Sequence, residues 1–433
     1  MATKVAFFNE LLERVLHIGS SLHKERQPQE EDLAQLCERL LADSGEATGL
    51  AIAQQILDRS LALDRSQRDE FFMLLLTDFG CDESAMQAVM QKWQNSEPGA
   101  ARKMHLASEP RSMELFRRIN RVPGGTSGLV QLRAKLLETI RRKPELKLLD
   151  DDLRHLLASW FNRGFLELRR ISWSTSAEIL EKIIQYEAVH EIHGFEDLRQ
   201  RVAAEDRRLY AYFHPSLPTE PLIFLEVALM DSIPSAIGPI LDASRKPLEP
   251  SATNTAVFYS ISNCQQGLHR ISFGNLLIKQ VVMELQREFP HLDQFVTLSP
   301  VPGFRQWATS NIRSPGDNVP EKVVGLLRDQ MQRDIPDDGE LSKLLAFYLA
   351  KEKRASNGAT DPVAHFHLGN GASLHRINTK ADNSKHAQDS AWGFMVNYLY
   401  TGADIERNHE DYVNAGQVAL GEQVEVILAA TVS

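Results

Sequence analysis

The chain has 433 residues, too many for one ordinary hydrophobic core, so two domains are expected. Hydrophobic residues make up 43% and charged residues 24%, the balance of a soluble globular protein, and the longest apolar run, LIFLEVALM, is short for a membrane span and carries Glu226. A net charge of −10 argues against a nucleic-acid partner, and three cysteines, Cys37, Cys81 and Cys264, without paired spacing argue for a reducing compartment without disulfide framework or zinc site.

In chain order, MATKVAFFNELLERV is amphipathic but carries Glu10 and Glu13 and lacks a signal-peptide core or an Arg-rich transit composition, so a structural first helix is expected. Apolar residues then recur at helical spacing: Leu33, Leu36, Cys37, Leu40 and Leu41, next Ile52, Ile56 and Leu57, with Phe71 to Leu76 expected deeper. VPGGTSG, Val122 to Gly128, reads as a flexible turn between helices. Residues 1–162 are thus expected to form an all-helical bundle, and residues 163–433 a mixed α/β domain. There, GFLELRRISW and PLIFLEVALM read as strands, SAEILEKIIQYEAV and GFEDLRQRVAAEDRRLYAYF as helices, and SLPTEP and KPLEPSATNT as loops.

The stretch Val257 to Phe304 is the richest in chemistry. Val257 to Ser262 is β-branched and aromatic, a buried strand; a loop with Gly267 and Gly274 follows, then a helix from about Asn275 with apolar Leu276, Leu277, Ile278, Val281, Val282 and Leu285. Glycines let backbone approach a ligand and a helix N-terminus favours anions, so this is a candidate pyrophosphate cradle, although glycine before a helix often serves packing alone. Ser299 ends the next strand, before Pro300. Further on, DPVAHFHLGNGASLHRIN places His365 and His367 two apart, on one face of an expected strand, with a tight turn at Asn370 and Gly371. No third ligand stands at a metal-site spacing, so no metal is expected. Arg270 and Lys279 could neutralise phosphates or simply be solvated, and Tyr259 is expected to pack.

PLIFLEVALM, FYSIS, QQGL, LIKQVVMELQREFPHL, TLSPVPGF, FHLGNGASLHRIN and FMVNYLY, in that order, resemble the malonyl-CoA decarboxylase family. The resemblance implies an α+β protein: a helical oligomerisation domain joined to an acetyltransferase-like (GNAT-like) catalytic domain, assembled as a homotetramer. It implies conversion of malonyl-CoA to acetyl-CoA and carbon dioxide in lipid metabolism, with no metal, biotin or pyridoxal phosphate. Carried over, the catalytic pair falls on Ser299 and His367. The CoA-binding turn falls on His269, Arg270, Ile271, Ser272, Phe273, Gly274 and Asn275, and Ser260 and Tyr400 match positions lining the site. Ser272 stands where animal members tend to carry an acidic residue. The final residues, Thr431, Val432 and Ser433, differ from the peroxisomal tripeptide of some members, and with the cysteine usage this suggests a cytoplasmic location.

Decarboxylation of a malonyl thioester needs the carboxylate held out of the thioester plane, donors on the developing oxyanion, and a proton for the α-carbon. The implied roles give Ser299 the substrate carboxylate and a proton-accepting place in the dyad, and His367 the proton donation; exchanged roles remain open. An acyltransferase using the same cradle, and a non-catalytic CoA sensor, are the rival readings. A serine hydrolase is disfavoured, because TLSPVPG has no G-x-S-x-G elbow and no acidic orienter is identifiable beside His367.

Overall fold

The computed structural model describes residues 31–42, 45–94, 97–271, 277–316, 318–354 and 358–432; the expected first helix and turn positions 272–275 lie outside them. The described chain divides into two compact units. One holds the chain up to Glu167 with Phe213–Glu220 and Gln265–Phe273, and the other holds Leu168–Tyr212, Pro221–Cys264 and Gly274–Ser433.

The first unit is helical, as the periodicity predicts. Leu33–Leu41 and Arg65–Thr77 each open on a reciprocal cap, in which Asp32 with Gln35, and Asp64 with Gln67, satisfy backbone N–H groups that the first helical turn leaves unpaired. Leu36, Cys37 and Leu40 turn inward, as do Ile52, Ile56 and Leu57 of Glu46–Ala62, and Phe71, Phe72 and Leu75. VPGGTSG holds the expected turn between helices only as far as Gly124. The helix Gly125–Ile140 begins inside it, and only Gly124, with φ 71°, needs left-handed backbone. A Cβ on Gly125 would meet the Ile119 carbonyl oxygen at 2.3 Å, and one on Gly128 would meet Leu57 Cδ1 at 2.6 Å. These glycines serve close packing.

The second unit is built on a mixed sheet. Its strands are β1 (Glu167–Ile171), β2 (Arg207–Phe213), β3 (Ile223–Met230), β4 (Thr255–Asn263), β5 (Gln294–Thr297), β6 (Ser299–Pro300), β7 (Ser373–Asn378) and β8 (Met395–Tyr400). They run in the order β1-β2-β3-β4-β5-β8-β6, with β7 also on β8. β2–β3–β4 is antiparallel, and β4 pairs parallel with β5 after the helix Leu277–Glu288. That helix buries Leu277, Ile278, Val281, Val282 and Leu285, the apolar stripe read from the sequence. A parallel pair with a helical crossover beside an antiparallel run is the acetyltransferase-like arrangement.

One expected helix is half wrong. Phe195–Val202 is helical, but RRLYAYF is strand β2, buried along its whole length. Arg207 and Arg208 look like a polar helix face in sequence; folded, Arg207 donates to the Ile240 carbonyl and Arg208 pairs with Glu288. Their paired guanidiniums are what allow charged residues in a buried strand.

Candidate active site

The site lies where β4 and β5 part. They pair only from Thr255 opposite Gln294 to Phe258 opposite Thr297, and the Leu298 N–H donates to the Phe258 carbonyl at 3.0 Å. Beyond this, β4 runs on to Asn263 without β5. It also bulges: Glu226 of β3 faces Ser260 and Val227 faces Phe258, leaving Tyr259 as the extra residue. Ser299 moves to β6, opposite Val396 of β8. A cavity of about 330 Å³ opens here, lined among others by Tyr259, Ser260, Ser299, Pro300, Phe366 and His367.

His365 and His367 sit on a helix, Pro362–Gly369, and not on the expected strand. Asp361 starts it by accepting the Val363 and Ala364 N–H groups at 2.9 and 3.0 Å, and Pro362 occupies the first turn, where a missing N–H costs nothing. Two residues along a helix turn through roughly 200°. The two histidines therefore diverge: His365 Nδ1 meets the Tyr412 hydroxyl at 2.8 Å, while His367 reaches the cavity. Among the described residues no three His, Cys, Asp or Glu side chains converge as a metal site.

His367 Nε2 lies 3.1 Å from Ser299 Oγ, and its Nδ1 lies 2.8 Å from the Tyr400 hydroxyl. The ring stacks on Tyr398 at 4.7 Å, and Ser299 Oγ donates to Thr297 Oγ1 at 2.9 Å. Ser299 is 5% exposed and His367 3%. Burial pushes the imidazole down to about 3 and raises the Tyr400 phenol well above 10. With the imidazole neutral, the donation of Ser299 to Thr297 assigns the remaining protons. The Tyr400 O–H donates to Nδ1, Nε2 carries the one imidazole proton and directs it at Ser299, and Ser299 passes its own to Thr297. In a serine hydrolase the serine donates to the histidine. Here the neutral histidine is the donor, oriented by a phenol in place of a carboxylate.

Ser260, on β4, donates to Glu187. Behind it Glu226, 0% exposed, accepts the Tyr259 hydroxyl at 2.6 Å and faces Arg201 at 3.3 Å. Burial, reinforced by Glu187 beside it, pushes Glu226 up to about 8 in spite of Arg201. Sequence reasoning missed Glu187, which ends a helical pattern with nothing to mark it. Glu226 had a signal, as the lone acid in an apolar strand.

In the helical unit, the described part of the expected CoA turn is clamped. Arg133, 0% exposed, donates to the Gly267 and His269 carbonyls at 2.7 and 3.0 Å and pairs with Asp150 at 2.7 Å. Gly267 leaves no alternative residue, since a Cβ would meet the Val130 carbonyl oxygen at 1.9 Å. Arg270 holds a left-handed φ of 62°. Lys279 is ion-paired with Glu406 at 2.5 Å.

Family models for the malonyl-CoA decarboxylase C-terminal domain and N-terminal domain match residues 164–433 and 79–161. The mitochondrial malonyl-CoA decarboxylase of Rattus norvegicus is 36% identical over 414 residues, 84% of this chain and 82% of its own length. The malonyl-CoA decarboxylase structure from Rhodopseudomonas palustris superposes with a TM-score of 0.86 at 44% identity, covering 92% of this chain and 98% of that one. The structure from Agrobacterium vitis gives 0.82 at 47% identity, covering 92% and 100%.

Proposed function

Because the chain belongs to the malonyl-CoA decarboxylase family, a family of carboxy-lyases, we propose that it converts malonyl-CoA to acetyl-CoA and carbon dioxide through a thioester enolate. The thioester carbonyl is itself the electron sink, so the scheme uses neither metal, biotin nor pyridoxal phosphate. Pantetheine runs between the parting strands β4 and β5, and the turn His269 to Asn275 holds the CoA pyrophosphate. Ser299 turns its hydroxyl from Thr297 to the malonyl carboxylate, which fixes the breaking bond out of the thioester plane. As carbon dioxide leaves, the bonding pair enters the thioester and His367 Nε2–H protonates the α-carbon. A thioester enolate is a stronger base than imidazolate, so a neutral imidazole suffices, as at other sites that hold histidine neutral. Solvent then restores the donor's proton, completing the uptake of one proton per turnover.

The observation carrying this reading is the buried contact of His367 Nε2 with Ser299 Oγ at 3.1 Å, beside the gap between β4 and β5. The same reading makes residues 1–162 an oligomerisation domain, residues 163–433 the catalytic domain, and the protein a cytoplasmic homotetramer. Among the described residues no helix is long and apolar enough to cross a membrane. The test is incubation with malonyl-CoA in excess EDTA, with acetyl-CoA and carbon dioxide followed by mass spectrometry. Turnover that survives EDTA is expected; CoA binding without carbon dioxide release would overturn the reading in favour of an acyltransferase or a sensor.

A further inference from the structure

The β4 side of the cavity carries polar groups that the scheme above does not use. Ser260 Oγ lies 2.8 and 2.9 Å from the two oxygens of Glu187, and a carboxylate only accepts, so the serine proton is committed there. Glu187 Oε1 also accepts the N–H groups of Val189 and His190, each at 2.8 Å. Ser262 Oγ accepts the Ala188 N–H at 3.3 Å and donates to Glu187 Oε2 at 3.1 Å. These four donors crowd the two oxygens of one carboxyl group. Ser260 therefore shows the cavity only lone pairs, although it is a hydroxyl and is 2% exposed.

A hydroxyl that only accepts has a consequence for a substrate whose carboxylate must depart as neutral carbon dioxide. The carboxylate's charge is largest before reaction and fades as the bond breaks, so each extra donor on it stabilises the ground state more than the transition state. Resting on the decarboxylase reading, we propose that Glu187 is a positioning residue: by holding the Ser260 proton it makes that hydroxyl repel the malonyl carboxylate, leaving that group to the Ser299–His367 side.

Glu187→Gln tests this with a definite sign. Two N–H groups already occupy Oε1, so the new amide nitrogen falls in the place of Oε2 and donates to Ser260, whose proton is released into the cavity. The variant is expected to lower KM for malonyl-CoA about tenfold and to lower kcat by a similar factor, the size of one hydrogen bond to a charged group. Inhibition by acetyl-CoA, which has no carboxylate, should be unchanged. In a Ser260→Ala background the same substitution should do nothing, because its effect passes through that hydroxyl. A raised or unchanged KM, an equal shift for both thioesters, or an equal effect without Ser260 would overturn the proposal. Should Glu187→Gln fail to fold, Ser260→Ala alone decides: removing a hydroxyl that presents only lone pairs keeps or raises the malonyl-CoA to acetyl-CoA affinity ratio, whereas selective loss of malonyl-CoA would show that Ser260 donates to the carboxylate and overturn it. Absence of carbon dioxide from the wild type would overturn both this proposal and the decarboxylase reading, whereas wild-type turnover with an unshifted KM in Glu187→Gln sinks this proposal alone.

Discussion

Ser299 and Ser260 are serines of one cavity, on strands that have just separated, and both are nearly inaccessible to solvent. Their surroundings are unlike. Ser299 sits among neutral donors and acceptors, a histidine, a threonine and a tyrosine, in which one proton has a defined direction. Ser260 is tied to a carboxylate backed by a second, protonated glutamic acid. The difference shows that the residue type of a pocket hydroxyl says little about its chemistry; the group behind it decides whether it offers a proton or a lone pair.

The strongest way to break the comparison is to remove the donor from the neutral side. His367→Asn should lower kcat by at least about two decades and leave CoA affinity nearly unchanged, measured by steady-state kinetics and calorimetry. Near-normal turnover would remove His367 from the chemistry. Tyr400→Phe sharpens the claim about proton direction: it leaves Nδ1 without its donor and frees the imidazole to flip tautomer, so kcat should fall about tenfold with KM little changed. An unchanged kcat would mean that the phenol does not set the tautomer.

Arg133→Met probes a region outside the cavity. It strands Asp150 and frees the Gly267 and His269 carbonyls, the second of them in the expected CoA turn, so it should cost about 3 kcal/mol of stability and raise KM for malonyl-CoA with kcat retained. A lowered kcat at unchanged KM would contradict a binding role for that turn.

The smallest effect concerns pH and stability, where the two walls work in opposite senses. His367 has its folded pKa depressed, so its contribution is present above about 6.5 and is lost as pH falls toward about 3. Glu226 has its folded pKa raised, so its contribution is present below about 4.5 and is lost as pH rises through about 8. Glu226→Gln should therefore gain in melting temperature relative to the wild type on going from pH 5 to pH 9. A constant difference would mean that Glu226 is ionised throughout.

Much of this was legible in the sequence because it rests on period and composition. The helical half, β3, β4 and the stripe of Leu277–Glu288 follow from apolar spacing that one buried face imposes. Ser299 and His367 came through family resemblance, and their meeting across 68 residues of chain is a product of tertiary folding that no local spacing encodes. β2 was misread because Arg207 and Arg208 look solvent-facing until their distant partners are known. The histidines were misplaced because a two-residue spacing suits a strand, while the features that decide for a helix, the Asp361 cap and Pro362 in the first turn, lie just ahead of them. Glu187 and Arg133 were invisible for a related reason: each acts on a segment more than 70 residues away.

The most direct measurement is the pH dependence of the single-turnover decarboxylation rate at saturating malonyl-CoA, from pH 5 to pH 9. With the imidazole held down to about 3 and working as a neutral donor, the rate should show no inflection near 6.5. An inflection at about 6 to 7 that disappears in His367→Asn would mean that His367 titrates in the working enzyme, and would contradict the proton direction assigned to the Ser299–His367–Tyr400 line.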